Sequence, residues 1–393
     1  MLWITILALG LRLVYVLVIG KESLSWGDEF SYDSLASRLA TGQGFVLAGG
    51  NPTLLRAPLY PMLLAGAYVL FGHNYMVVVL LQAVIGGLTA PLLVILGRQL
   101  VKSEGMAIVA GFMFACHPLL IFAAGLLYSE TVYLFILMIF TLMCLRMVRG
   151  GGHKGWALSC GVILGLRVLM KQNMLLFPLA LFTWLWYSLK RLDRACLLSA
   201  GVVLAMTVVI LPWTWRNYTV SGAIVLVSAN GGLNLWQGNH PEATGAAYPL
   251  DQVDPLPGCS EVERDAVYRS WALDAIRSDP GRILALLPRK AVKFFAPLET
   301  SNRGRVFLTL APVITAGWVT FLLISFVGLL MTVGRSTDWD LVYLLILYPL
   351  LVVLVFYGAT RYGMVVYPYL FLLASVPLGK IVKRLGILQR TPF

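Results

Sequence analysis

The sequence predicts an all-α polytopic membrane protein: a bundle of about ten transmembrane helices with a large first outer loop and a small mixed outer-loop region. Three observations carry this prediction. Of the 393 residues, 59% are hydrophobic and only 12% charged, with a mean hydropathy of +0.82, too apolar for a soluble domain of this length. Apolar runs of membrane length, roughly 20 residues each, recur along the chain. Basic residues collect in the short connections between alternate runs, as the positive-inside rule requires.

In order, the runs fall near 2–20, 75–97, 105–124, 129–148, 155–170, 173–189, 195–212, 308–333, 341–357 and 363–380. The first has no basic segment before it and no small-x-small cleavage site before Lys21-Glu22, so it is expected to be a retained helix rather than a signal peptide. Arg98 and Lys102, then Arg146, Arg149 and Lys154, then Lys190, Arg191 and Arg194, then Arg335, and finally Lys380, Lys383, Arg384 and Arg390 mark the inner side. Both termini are then inside, and 21–74, 124–129, 168–173, 213–307 and 358–362 face outward. The net charge of +12 is therefore spent on membrane orientation and not on a nucleic acid. Three parts follow: a transmembrane module, 1–212, whose first outer loop (21–74) carries the candidate chemistry; a large outer loop, 213–307; and the C-terminal helices with a basic tail, 308–393.

Both long outer segments should carry structure of their own. In the first, Asp33 to Ala40 is helix-like and stops at Thr41-Gly42-Gln43-Gly44, a glycine end signal. The apolar stretch 59–71 is short for a crossing and is expected to lie in or re-enter the membrane surface. In the second, Ile224 to Val227 is strand-like and Ser228 to Asn239 turn-rich. A helix then starts at the capping box Ser260-x-x-Glu263, and another at Asp279-Pro280. That last helix alternates Ile283, Leu287, Val292 and Phe295 with Arg282, Arg289, Lys290 and Lys293, which suits either a helix on lipid headgroups or a solvated loop packed on the bundle. Of the five cysteines, Cys116, Cys144, Cys160 and Cys196 fall in or beside spans and Cys259 stands alone outside, so they are expected to be packing residues and not a disulfide framework.

Carboxylates beside a membrane are costly to desolvate and are candidates for function. Asp28 and Glu29, in Ser25-Trp26-Gly27-Asp28-Glu29-Phe30-Ser31-Tyr32, lie just past the first run, with Asp33 close behind. Glu130, in Tyr128-Ser129-Glu130-Thr131, is held at the surface by a very short outer turn, either facing a cavity or serving as an N-terminal helix carboxylate. On the same side lie Arg56, Lys171 and Arg361. Converging from different helices, they would form a phosphate site, with arginine giving bidentate geometry and lysine a point charge. Taken singly, each is an ordinary snorkelling residue. A carboxylate facing such a pocket suits transfer of a sugar from a lipid phosphate: the cations neutralise the leaving phosphate and Asp28 takes the proton of the attacking hydroxyl, inverting the anomeric centre. A divalent metal is compatible with the carboxylates but not required, and no metal ligands are assigned. The Asn217-Tyr218-Thr219 sequon is a weak signal beside the bilayer.

These residues also carry a resemblance. Gly27-Asp28-Glu29-Phe30-x-Tyr32, Gly42-x-Gly44-Phe45, Pro52-Thr53 and Arg56-Ala57-Pro58-Leu59-Tyr60-Pro61 resemble the first outer loop of family 39-like glycosyltransferases of the GT-C superfamily, relatives of protein O-mannosyltransferases and lipid A aminoarabinose transferases. The likeness continues at Ser129-Glu130-Thr131, Leu211-Pro212-Trp213-x-x-Arg216-Asn217-Tyr218, Asn230-Gly231-Gly232-x-Asn234-Leu235-Trp236-x-Gly238-Asn239, Arg361-Tyr362 and Tyr367-Pro368.

It implies a GT-C-like bundle and a polyprenyl- or dolichyl-phosphate sugar donor. Asp28 would be general base, Glu130 a second acidic site residue, Glu29 a positioning or acceptor residue, and Arg56 and Lys171 ligands of the donor phosphate. The acceptor could be protein, lipid or glycan. The implied setting is a bacterial inner membrane with the site on its periplasmic face. Leu166 to Asn173 departs from the family in lacking small and threonine residues before the basic position. The chain is short and is expected to lack the extra spans and large soluble C-terminal domain of some relatives, so their acceptor class does not carry over. The competing readings are a transporter or flippase of lipid-linked sugars and a non-catalytic membrane scaffold. Few mid-span acids and no paired Gly/Pro-broken helices speak against the transporter.

Overall fold

The computed structural model describes residues 1–21, 23–24, 27–250, 256–297 and 305–384, without the side chains of 305–310 and 383. Ser25, Trp26 and the tail cation Arg390 lie outside those residues. The helices in chain order are α1 (Leu2–Ile19), α2 (Gly27–Ala40), α3 (Leu59–Phe71), α4 (Tyr75–Val101), α5 (Glu104–Cys116), α6 (Pro118–Ala124), α7 (Glu130–Arg149), α8 (Lys154–Met170), α9 (Phe177–Leu189), α10 (Leu192–Ser221), α11 (Gly231–Asn239), α12 (Glu261–Ser278), α13 (Pro280–Phe294), α14 (Arg305–Thr332), α15 (Thr337–Val355), α16 (Thr360–Gly363) and α17 (Tyr367–Arg384). The described residues contain no strand, only an isolated bridge between Val46 and Pro52.

Among the described residues, seven helices are long and apolar enough to cross a membrane, or eight with α5 and α6 taken as one span bent by 54°. Of the ten expected runs, 155–170 and 173–189 form helices of only 17 and 13 residues. Lys171 and the 3₁₀ turn Gln172–Met174 separate them. α3, at 13 residues, reaches about 20 Å and is too short to cross.

Buried polar groups show how the bundle tolerates its irregularities. The break before Pro118 leaves carbonyls at the end of α5 without amide partners. Arg12, buried in α1, donates to Ala115 O at 3.2 Å and to Phe114 O at 3.3 Å. α8 and α10 meet closely at Gly161 and Gly165, where an added Cβ would lie 2.3 Å from Val202 O and 2.7 Å from Val209 Cβ. Small residues four apart are a common device for close helix approach in lipid. At one end of the bundle the expected inner-side residues meet: Arg149 pairs with Asp338 and bonds Gln99, and Arg98 pairs with Glu104. The candidate site gathers at the other end.

The outer segment corrects two expectations. Ile224 to Val227 is not a strand; it is tacked onto the end of α10, with Trp213 donating to Val227 O and Asn217 to Val225 O and Val227 O. Asn217 is fully buried by these bonds, so the sequon is a structural element. The turn-rich stretch 231–239 is helix α11, because Asp265 accepts from Gly232 N at 2.6 Å and satisfies a free amide of its first turn. The predicted starts at Ser260 and Asp279 are both found, with Asp279 accepting from Arg282 N.

α13 is packed on the bundle, and Lys290, predicted between its apolar residues, is fully buried. The five cysteines are free thiols, with Cys144 and Cys160 3.9 Å apart in the core.

Candidate active site

α2 begins at Gly27, earlier than the pattern from Asp33 implied, which places Asp28 and Glu29 in its first turn, where the helix dipole favours carboxylates. Neighbouring helical residues point about 100° apart, so the two acids part company. Glu29 is fully buried, pairs with Lys21 at 2.8 Å and accepts from Leu127 N at 2.8 Å. It ties the α6–α7 turn and Lys21, just past α1, to α2. Asp28 turns toward the cations of the site.

Oδ1 of Asp28 accepts from Arg56 at 2.7 Å, and Oδ2 forms a close ion pair with Arg361. Arg56 also bonds Ser31 Oγ at 3.3 Å and lies over the Tyr32 ring. Beside this triad, Lys171 Nζ bonds Glu130 Oε1 at 2.7 Å. Tyr362 joins the two groups: Arg361 lies 5.1 Å and Lys171 5.7 Å from its ring centroid. Tyr357 bonds the Tyr362 hydroxyl at 2.9 Å, Tyr128 backs Arg361 and Tyr133 backs Lys171. Five of the six sequence-predicted residues, Asp28, Glu130, Arg56, Lys171 and Arg361, therefore meet, and Glu29 stands behind them.

The cluster sums to +1, and its side chains are partly open, 31% for Arg56, 28% for Arg361 and 19% for Lys171 and Asp28. An anion can therefore reach the cations. Burial alone would raise the Asp28 carboxyl, but the charges of Arg361 and Arg56 outweigh it and hold the group well below the ordinary carboxylate range. The phenols of Tyr32 and Tyr128 are raised by burial and stay neutral donors.

The outer segment fixes the site from above. Just before Arg56, Thr53 Oγ1 and Leu54 N donate to Glu261 at 2.7 and 2.5 Å. Arg216 donates to Thr53 O and Phe45 O, Asn230 to Leu55 O, and Ala229 N to Leu54 O. Gln172, next to Lys171, donates to Asn230 Oδ1 at 2.7 Å. Ahead of Arg361, Lys290 Nζ donates to Leu354 O, Val355 O and Asn239 Oδ1, and Asn239 also donates to Val355 O. Gly358 sits so close to α13 that an added Cβ would lie 2.2 Å from Lys290 O. Burial and the nearby charge of Arg282 push Lys290 down to about 8. Tyr362, Glu261, Asn239 and Lys290 were not foreseen as site residues. Asn230, Asn239, Arg216 and Tyr362 did lie within the quoted motifs, and the structure gives those motif positions their physical roles.

With the geometry in place, comparison with known proteins places the chain. The family model described as dolichyl-phosphate-mannose-protein mannosyltransferase matches residues 55–215, a stretch that holds Arg56, Glu130 and Lys171. The archaeal oligosaccharyltransferase AglB from Archaeoglobus fulgidus, in complex with an inhibitory peptide and a dolichol-phosphate, is similar in structure. It has a TM-score of 0.61 and 14% identity, over 98% of this chain and 51% of that one. An Archaeoglobus fulgidus oligosaccharyltransferase in complex with Zn and sulfate gives 0.60 and 14%, over 98% and 50%. ArnT from Cupriavidus metallidurans bound to undecaprenyl phosphate overlaps at 0.48 and 16%, over 98% of this chain and 79% of that one, and the fold assignment rests on the archaeal enzyme alone. No curated protein matches significantly in sequence. The chain thus shares the fold of the archaeal oligosaccharyltransferase, and it spans about half the length of that enzyme.

The candidate carboxylates are each engaged by protein partners in this structure. Both oxygens of Asp28 are taken by arginines, Glu29 is committed to Lys21 and Leu127 N, and Glu130 bonds Lys171. Among the described residues no three His, Cys, Asp or Glu side chains group as a metal site.

Proposed function

We propose that the protein is a membrane glycosyltransferase that moves a sugar from a polyprenyl phosphate to an acceptor hydroxyl, with inversion, on the non-cytoplasmic face. The observation that carries this reading is Asp28 held between Arg56 and Arg361 beside the Lys171–Glu130 pair. The family match and the dolichol-phosphate of the archaeal neighbour support a lipid-phosphate donor.

The acceptor oxygen attacks the anomeric carbon and its proton passes to Asp28. The bond from that carbon to the phosphate oxygen breaks with its electron pair kept by the phosphate, which leaves as a lipid monophosphate. Arg56, Arg361 and Lys171 stabilise the charge that develops there. Glu130 keeps Lys171 charged and aimed. Because the arginines depress Asp28 as a base, the donor has a second task. Its phosphate draws Arg56 and Arg361 away from the carboxylate, and Asp28 then gains proton affinity when a substrate is present to use it.

Purified protein incubated with polyprenyl-phosphate sugars and candidate protein, lipid and glycan acceptors should yield a glycosylated product by mass spectrometry. Passage of the intact lipid-linked sugar across liposomes without bond cleavage would favour the transporter instead.

A further inference from the structure

One charge near the site has no evident purpose in the scheme above. Arg167 is fully buried, and none of its three guanidinium nitrogens has a hydrogen-bond partner among the described residues. Its guanidinium lies 4.5 Å from the ring centroid of Tyr133 and 5.7 Å from that of Phe140. Tyr133, Tyr348 and Tyr369 turn their hydroxyls to other partners, Asn173 for the first two and Thr141 for the third. A cation in the bundle interior is costly unless it is used, and cation–π contact offsets only part of that cost.

Its position is informative. Arg167 lies in the last turn of α8, its carbonyl accepting from the amide of Lys171 just beyond the helix end, and both cations lie against the same Tyr133 ring, Lys171 at 5.8 Å from the centroid. The two charges are therefore within about 10 Å of each other, a range at which a buried charge still acts strongly. We infer that Arg167 supplies the site with a fixed field that favours the departing lipid monophosphate over the donor phosphodiester, without touching either. This inference rests on the proposed transfer reaction.

Charge accounting motivates it. Asp28, Glu130, Arg56, Lys171 and Arg361 sum to +1, which balances a phosphodiester monoanion. When the carbon–oxygen bond breaks, the electron pair stays on the phosphate and the acceptor proton goes to Asp28, so the lipid phosphate becomes a dianion. Protonation of Asp28 raises the sum of the five groups to +2, which matches that dianion, and Arg167 adds one further positive charge that stays in place throughout. The field of Arg167 acts on one more negative charge in the monoester than in the diester, so it holds the product more tightly than the donor. At an effective dielectric near 20, one charge about 10 Å away is worth roughly tenfold toward the extra negative charge.

The test needs no turnover. Binding of undecaprenyl phosphate and of its methyl diester is measured for wild type, Arg167→Met and Arg167→Lys at pH 8 and pH 5. At pH 8, Arg167→Met should lose roughly tenfold of the preference for monoester over diester, and Arg167→Lys should keep most of it. At pH 5 the monoester is largely a monoanion, its second pKa being about 6, and wild type and Arg167→Met should converge. Equal loss for both lipids, or no loss, would make Arg167 a packing residue and overturn the inference. If Arg167→Met does not fold, loss of the preference in folded Arg167→Lys overturns it equally. Failure of the glycosyltransferase reading looks different: wild type then binds neither lipid, or binds both independently of Arg56.

Discussion

Replacing Asp28 with Asn should abolish transfer yet tighten binding of the lipid phosphate. In the structure Arg56 and Arg361 are both paired with Asp28, so a phosphate can bind them only by displacing a carboxylate. The asparagine keeps the shape of the side chain and removes that competitor. The pairs are partly exposed, 19% at Asp28 and about a third at Arg56, so each is worth less than a buried pair, about 1 kcal/mol. Two such pairs released together predict roughly 5- to 30-fold tighter binding of undecaprenyl phosphate. Loss of the base should cost about 10²- to 10⁴-fold in kcat. Calorimetry in nanodiscs gives the affinity, and single-turnover transfer of a radiolabelled sugar gives the rate. Weaker lipid binding by a folded Asp28→Asn protein would refute the idea that donor and base share the arginines. Full turnover would refute the base itself.

Four further outcomes follow from the same geometry. Arg56→Gln removes a phosphate ligand and leaves Asp28 paired with Arg361, so undecaprenyl phosphate affinity should fall roughly 10- to 100-fold, while the melting temperature stays within a few degrees; unchanged affinity counts against the phosphate role. If donor binding relieves Asp28 of its arginines, the acid limb of kcat should lie at higher pH than that of kcat/KM, since the two report the substrate complex and the free enzyme; coincident limbs would contradict re-pairing. Lys290 titrates near 8 when folded and 10.5 when unfolded, so the unfolded chain binds more protons between those values. The α13–α15 contact should therefore gain stability, by at most about 3 kcal/mol, as pH rises through that window. Hydrogen exchange of residues 354–361, corrected for its intrinsic pH dependence, should report it, and Lys290→Met should flatten the change. Glu261→Ala removes the acceptor of the Thr53 hydroxyl and of Leu54 N, so it should loosen the 53–56 backbone in hydrogen exchange and raise the donor KM with little loss of fold.

Much of this site can be read from residue type and membrane side alone. A charged residue beside an apolar run has few places to go, and topology put Asp28, Arg56, Glu130, Lys171 and Arg361 on one face. Which acid meets which base cannot be read that way, because Asp28 and Arg361 are 333 residues apart in sequence. The division of labour between Asp28 and Glu29 depends on helix α2 starting at Gly27. Gly27, Asp28, Glu29 and Ser31 offer no apolar periodicity there, and the helical pattern shows only from Asp33 onward. Asn230-Gly231-Gly232 reads locally as a turn. It becomes a helix start because Asp265, from a distant segment, accepts the Gly232 amide, and tertiary partners of that kind override local propensity. Lys290 misleads for a similar reason. A lysine on an amphipathic helix ordinarily faces water, but here the free carbonyls at the end of α15 and the amide of Asn239 replace its hydration shell.

The central claim, that the arginine-clamped carboxylate serves sugar transfer from a lipid phosphate, is tested most directly by product analysis. Purified wild-type protein and Asp28→Asn are incubated in parallel with polyprenyl-phosphate sugars of defined anomeric configuration, and products are identified by mass spectrometry and NMR. Wild type should release polyprenyl phosphate and form a glycoside of inverted configuration, and Asp28→Asn should form at most about 1% as much in the same time. Retained configuration, or equal product from both proteins, would contradict the account.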